Sequence, residues 1–334
     1  GRRVASIGWW VTWPVEKVNG VMVAQTNTTL PRSKNNSPGQ TVKGTLLADY
    51  PAQVWPTDLN PELIRTVKAV EATMPDRVVN IFGQDFDSTK GKQWSRLWQQ
   101  SEWSMRADAI YHQVALDLLG KAEEPYDLFM VYFGGTDVLG HRFFRWYKPS
   151  AYSHPPSDKE VEAFGDILPK YYEELDRMVG DLVNASPKDA NIIIVSDHGM
   201  YAWQTFAPFK GDDMDNGRFL SGHHKEGSPA CLVAAGPNID EATIPEPSKK
   251  NAPHMGAVYD ITPTILHLMG LPKGKDMPGQ VNPQIVAPAF MDAHPVSEVP
   301  SHTPSGWIPN TVSVEDENDE EERREQLRTL GYIE

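Results

Sequence analysis

"IIIVSDHGM", residues 192–200, is the stretch on which the fold reading turns. Ile192, Ile193, Ile194 and Val195 are β-branched and apolar at every position, as a strand covered on both faces by helices requires. The run then stops at Asp197, His198 and Gly199. A carboxylate and an imidazole are metal-ligating groups. In open α/β sheets, ligands gather at the carboxyl ends of strands. Taken alone, Asp197-His198-Gly199 is as readily a turn that ends a strand.

Outward from this run, short apolar strands are expected at Val4–Ile7, Val21–Ala24, Leu128–Phe133 and Cys231–Ala235. They alternate with helical patterns over Pro61–Met74, Trp94–Leu119, Asp158–Val183 and Asp260–Met269. Such alternation predicts an α/β fold, a mixed and largely parallel sheet sandwiched by helices. In "DITPTILHLMG", Pro263 stands near the helix start and Gly270 just past its end, the favoured asymmetry. The aromatic and Pro-rich run from Arg142 to Pro156 reads as a loop or cap. One catalytic domain is expected over residues 1–300, with helical or cap insertions near 60–120 and 142–185. Residues 301–334 read as an acidic tail with a short solvated helix.

The net charge of −14 over 334 residues argues against a nucleic-acid polymer or a membrane surface as partner, since both need a basic face. An anionic small molecule is still admitted, because bound metal ions supply positive charge locally. The single cysteine, Cys231, excludes an internal disulfide and reads as a small core residue. No apolar run approaches the ~18–20 residues of a membrane span. The chain opens on "GRRVASIGWW", with no Met and already in a strand-like run, and is read as lacking its natural N-terminus. Asn27-Thr28-Thr29 fits a glycosylation sequon, a triplet common by chance. "KGDDMDNG" lacks the spacing of a calcium loop and reads as a turn.

Two further segments share the design of the first. "FMVYFGGTDVLGH" carries Asp137 and His141 after a strand, and "FLSGHHKEGSPACLVAAG" carries His223 and His224 before one. Singly, Asp137 reads as a helix cap and the His pair as a solvated loop. Three strand ends that each carry ligand residues point instead to one metal centre. Gly134, Gly135, Gly140, Gly199 and Gly222 flank the candidates and let the backbone turn and approach an ion. Arg142, Arg145, Lys210 and Lys225 lie near the motifs and could contact phosphate. Phe143, Phe144, Trp146, Tyr147 and Trp203 could wall a leaving group or pack in the core.

"GGTDVLGH", "IIIVSDHGM" and "SGHHKEG…ACLVAAGPNI", in that order, resemble the alkaline phosphatase superfamily, and most closely its type I phosphodiesterase/nucleotide pyrophosphatase branch. "GWWVTWPVEKVNGVMVA", "YDITPTILHLMGLP", "GKDMPGQV" and the closing "LRTLGYI" extend the resemblance over most of the chain. Residues 61–124 carry no specific motif. The resemblance implies a phosphate-ester hydrolase with two zinc ions, or another divalent metal, acting on a small phosphate ester. One zinc is expected on Asp137, His141 and His224, the second on Asp197 and His198. His224 is preferred over His223 because His224-Lys225-Glu226-Gly227 matches the family pattern; His223 is left as a further ligand or a supporting neighbour. The family's Thr or Ser nucleophile and one aspartate ligand belong to an N-terminal segment not seen here, so the chain alone is expected to be catalytically incomplete. The resemblance also points to an extracytoplasmic or periplasmic location. Alternatives are a sulfatase or a phosphomutase of the same superfamily, or a metal-binding domain without catalysis. Three histidines among the ligands favour zinc over calcium, which prefers oxygen.

Overall fold

The structure is a computed structural model and describes residues 1–10, 12–25, 52–83, 97, 101–203, 220–224, 229–240, 256–303, 308 and 310–311. The sequon at Asn27, the start of the helix expected from Trp94, the run from Lys210 to Gly217, Lys225 and the acidic tail from residue 312 lie outside the described residues. The chain divides into two compact units. The first is Gly1–Ala185, Met200–His223 and Asn310–Glu334; the second is Ser186–Gly199 and His224–Pro309.

The first unit is built on β1 (Val4–Ile7), β2 (Gly20–Val23), β3 (Val54–Trp55) and β4 (Leu128–Val131), in the sheet order β3-β2-β1-β4. β1 is parallel to both β2 and β4, with Val4 opposite Gly20 and Leu128; only β3 is antiparallel. The largely parallel sheet of a mixed α/β fold is therefore present. Ala5 and Ile7 of the central strand are fully buried, the consequence of an apolar sequence in a strand with neighbours on both sides.

Among the described residues this unit carries α1 (Asn60–Phe82), α2 (Glu102–Lys121), α3 (Gly135–Tyr147), α4 (Asp158–Phe164) and α5 (Ile167–Ala185). α1 carries Pro61 in its first turn, where a missing N–H costs nothing, and buries Leu63, Val67, Val70 and Met74 at helical spacing. It continues past the expected end at Met74, through Pro75, to Phe82. An interior proline costs about 3 kcal/mol. Burying Ile81 and Phe82 returns roughly 1.5–3 kcal/mol each, so core burial wins. The helix expected over Asp158–Val183 is two helices, broken at Gly165-Asp166, both poor helix formers. A capping box between Ser157 and Glu160 starts α4.

The run Arg142–Tyr147, expected to be a loop, is the second half of α3. Leu139, Phe143 and Trp146 recur at i, i+4 and i+7 and are buried, so their burial holds the segment in a helix. β6 (Tyr201–Ala202) and β7 (Gly222–His223) form an antiparallel pair, with Tyr201 opposite His223.

In the second unit β5 (Ile192–Val195) pairs antiparallel with β8 (Leu232–Ala235), Ile192 opposite Ala235. Two expectations fail here. Ile194 and Val195 are exposed, so β5 is not buried on both faces. Cys231 precedes β8 and is exposed; its amide donates to the Ser196 hydroxyl at 2.8 Å, which holds it at the strand end rather than in the core. α6 (Ile261–Leu268) carries Pro263 in its first turn and is followed by Gly270 at φ +69°, as its sequence predicts. β9 (Lys273–Gly274), α7 (Pro288–Ala293) and β10 (Glu298–Val299), parallel to β9, complete the unit. Among the described residues no helix is long and apolar enough to cross a membrane.

Candidate metal centre

β4 leads through Tyr132, Phe133 and Gly134 into α3, so the residues after its carboxyl end are helical at once. Asp137 lies in the first turn of α3 and His141 one turn later, on the same face. His141 Nε2 is 3.3 Å from Asp137 Oδ1. The other ring nitrogen, Nδ1, is 2.8 Å from the carbonyl oxygen of Gly222. A carbonyl only accepts, so Nδ1 carries a proton and Nε2 is the nitrogen that faces the carboxylate.

That contact needs β7 close against α3. A side chain on Gly222 would put its Cβ 2.4 Å from the Gly140 carbonyl oxygen, so only glycine fits. Ser221 clips the same edge: its amide donates to the His141 carbonyl at 2.7 Å, and its hydroxyl donates to the Arg142 carbonyl at 3.0 Å. The His223 ring stands edge-on to His141, centroids 5.7 Å apart, and lies 4.5 Å from Trp203.

The start of α3 is held from α2. Asp108 accepts from the Gly134 amide through Oδ1 and from the Gly135 amide through Oδ2, both at 2.9 Å. The Tyr171 hydroxyl, on α5, donates to the same Oδ2 at 2.6 Å. Burial pushes the Asp108 carboxyl up to about 6, against the three hydrogen bonds that lower it. A Cβ on Gly135 would lie 2.0 Å from the Tyr171 hydroxyl and 2.6 Å from Asp108 Oδ2. The Gly134-Gly135 pair, expected to admit an ion, thus admits a protein carboxylate.

The second unit repeats the first pair's pattern. At the carboxyl end of β5, Asp197 Oδ1 is 3.5 Å from His198 Nε2, and His198 Nδ1 is 3.1 Å from the Gly199 carbonyl oxygen. The rings of His198 and His224 are stacked, centroids 3.8 Å apart and planes within 14°. The unit therefore holds one carboxylate and two imidazoles together.

Ligands bound at about 2.0–2.1 Å to a tetrahedral ion lie about 3.3–3.4 Å from one another. The Asp137–His141 and Asp197–His198 separations of 3.3 and 3.5 Å fit that edge, and the ligand atoms of Asp137 and His141 are within reach of a shared ion. Carboxylate oxygen with imidazole nitrogen is a donor set for a divalent transition ion, so the residues fit a metal.

The expected phosphate-facing cations divide. Burial pulls the Arg142 guanidinium down to about 10, opposed by the Asp137 carboxylate nearby, so it stays charged at neutral pH. Arg145 is buried; it donates to the His154 carbonyl and its guanidinium stands 5.4 Å from the centre of the Tyr152 ring, which engages it in the loop after α3. Lys210 and Lys225 lie outside the described residues. Phe143, Phe144 and Trp146 are core residues, and of the run's aromatics only Tyr147 is exposed.

Asp108, Tyr171 and Ser221 were not singled out from the sequence. Asp108 had a signal: it is an acid within "MRADAIYHQVA", where Met105, Ala107, Ala109, Ile110 and Val114 are all apolar, and all are buried. Ser221 and Tyr171 had none.

The family model for type I phosphodiesterase / nucleotide pyrophosphatase matches residues 1–244, a stretch that includes Asp137, His141, Asp197, His198 and His224. The chain belongs to that family, a branch of the alkaline phosphatase superfamily whose members are phosphoric ester hydrolases. Comparison with curated proteins found no match, and neither did comparison with solved structures.

Proposed function

We propose that this protein hydrolyses small phosphodiesters or pyrophosphates with two zinc ions. Asp137, His141 and His224 hold one ion, and Asp197 and His198 hold the other. The observation that supports this most directly is the repeated carboxylate–imidazole pair. In both pairs a backbone carbonyl takes up the histidine Nδ1, leaving Nε2 3.3–3.5 Å from the carboxylate. A carbonyl that fixes the tautomer is the usual support of a metal-bound histidine.

Zinc bound there would stabilise negative charge on the phosphoryl oxygens and lower the pKa of a coordinated water. The chain's own groups then have distinct tasks. The carboxylates offset ion charge and the imidazoles present one lone pair each. Arg142, charged and close to Asp137, attracts the anionic ester. The attacking hydroxyl is not assigned to a residue of this sequence. The net charge of −14 weighs against a nucleic-acid polymer as substrate.

The test is turnover by the full-length protein of bis-p-nitrophenyl phosphate beside p-nitrophenyl phosphate and p-nitrophenyl sulfate. The diester should be favoured, activity should vanish in a chelator and zinc should restore it. Preference for the sulfate ester, or diester hydrolysis indifferent to the chelator, would overturn the reading.

A further inference from the structure

We propose that Asp108, tied to Tyr171, is a positioning residue that sets where the Asp137 carboxylate points for its metal ion. The inference rests on the zinc reading above and adds residues outside the ligand set.

A helix start is ordinarily capped by a side chain at the cap position itself, in contact with water. In α3 that position is Gly134, which has no side chain to offer. The acceptor comes instead from α2, 26 residues earlier, and is a carboxylate 1% exposed. Burying a carboxylate is costly unless its lone pairs are met. Here both oxygens are used, on two successive amides, with the Tyr171 hydroxyl as a third donor. Gripping one amide would fix a position. Gripping two consecutive amides also fixes the rotation of the first turn about the helix axis. The positive end of the helix dipole faces the same carboxylate and strengthens the grip.

Asp137 is the next residue but one after Gly135, inside that turn. His141, one turn on, has its own anchor in the Gly222 carbonyl. The 3.3 Å separation of the two candidate ligands is therefore set by two independent holds, one at each end of the pair. Loosening the first lets the Asp137 carboxylate drift while His141 stays. A fold needs only a satisfied helix start, which water can supply; a coordination shell needs the carboxylate in place to a few tenths of an ångström. Tyr171 locks the hold, because its hydroxyl orients Oδ2 and its own phenol is pushed well above the ordinary range by burial beside that carboxylate.

The experiment compares wild type, Asp108→Asn, Tyr171→Phe and Ile110→Val in the full-length protein. Ile110 is fully buried on α2 and has no part in the hydrogen bonds of either hold, so its variant reports loss of packing. Zinc affinity is read by competition with a chromogenic chelator, coordination by the visible spectrum of the cobalt(II) form, and stability by Tm. Tyr171→Phe keeps the buried ring and removes only the hydroxyl. It and Asp108→Asn should weaken zinc binding about 10- to 100-fold and alter the cobalt spectrum. Ile110→Val should lower Tm with affinity and spectrum unchanged. Wild-type affinity and spectrum in Tyr171→Phe and in a folded Asp108→Asn would overturn the inference, as would an affinity loss in Ile110→Val that follows its Tm. Failure of the wild type to bind zinc would instead overturn the zinc reading itself.

Discussion

The Nδ1 atom of His141 lies 2.8 Å from the carbonyl oxygen of Gly222, and this contact decides which nitrogen faces Asp137. With Nδ1 donating, Nε2 is the nitrogen that faces the carboxylate, 3.3 Å away. The contact exists only because Gly222 approaches α3 so closely that a Cβ there would collide with backbone.

Gly222→Ala should therefore damage stability and metal binding together. Its Cβ would sit 2.4 Å from the Gly140 carbonyl oxygen and 3.0 Å from Met200 Sδ, and backbone cannot give way cheaply. Overpacking of this kind costs about 1–3 kcal/mol. A lower Tm with a more than tenfold loss of zinc affinity is expected. A variant with wild-type zinc affinity would show that β7 does not set the histidine.

His198→Ala and His224→Ala should each reduce hydrolysis of bis-p-nitrophenyl phosphate by orders of magnitude while circular dichroism and Tm stay near wild type. The stacked rings sit at a strand end and in a loop rather than in the apolar core, so their loss removes ligands and little packing. Retention of more than about a tenth of the rate in either variant would remove that residue from the ligand set.

Arg142 and Arg145, three residues apart on α3, should separate by the kind of damage they cause. Arg142→Ala should lower kcat/KM about tenfold or more with Tm little changed, since its charge stands near Asp137. Arg145→Ala should lower stability by about 1–3 kcal/mol with KM unchanged, because it removes a buried side chain and its hydrogen bond to the His154 carbonyl. Steady-state kinetics with urea titrations would show the reverse assignment if it held.

Asp108 makes stability depend on pH in a direction opposite to a paired surface carboxylate. Its folded pKa is raised from 3.8 to about 6, so between those values the folded state binds more protons than the unfolded state. Stability from this group is greatest below about pH 4, falls as pH rises through about 6, and is flat above. The shift corresponds to about 3 kcal/mol. Among the described residues Tyr171 is the titratable side chain that hydrogen-bonds to it, and Glu174 and Arg77 act on that tyrosine. Wild type should lose stability relative to Asp108→Asn across this window in urea melts. Parallel curves for the two proteins would mean that the carboxyl titrates normally.

Much of the candidate site was legible because it is local. Asp137 and His141 are four residues apart, and a helix of 3.6 residues per turn puts them on one face whatever surrounds it. Asp197 and His198 follow an apolar run that can only be a strand or a buried helix, and β-branching selects the strand. Two of the misreadings have one common cause. Arg142–Tyr147 looked like a loop because aromatic and basic residues gather there, yet Leu139, Phe143 and Trp146 form a buried stripe. α1 ran through Pro75 for the same reason: a packed core outweighs local propensity.

The sequence by itself thus determined the α/β class, the family and the candidate carboxylate and imidazole pairs, since periodicity and motif spacing act over a few residues. Only the tertiary structure decided what holds those residues still. Asp108 reaches Gly135 across 27 positions and Gly222 reaches His141 across 81. A hydrogen bond depends on distance in space and leaves no period in the chain. The glycines at 135 and 222 take their meaning from the atoms of α2, α3 and α5 that pack against them.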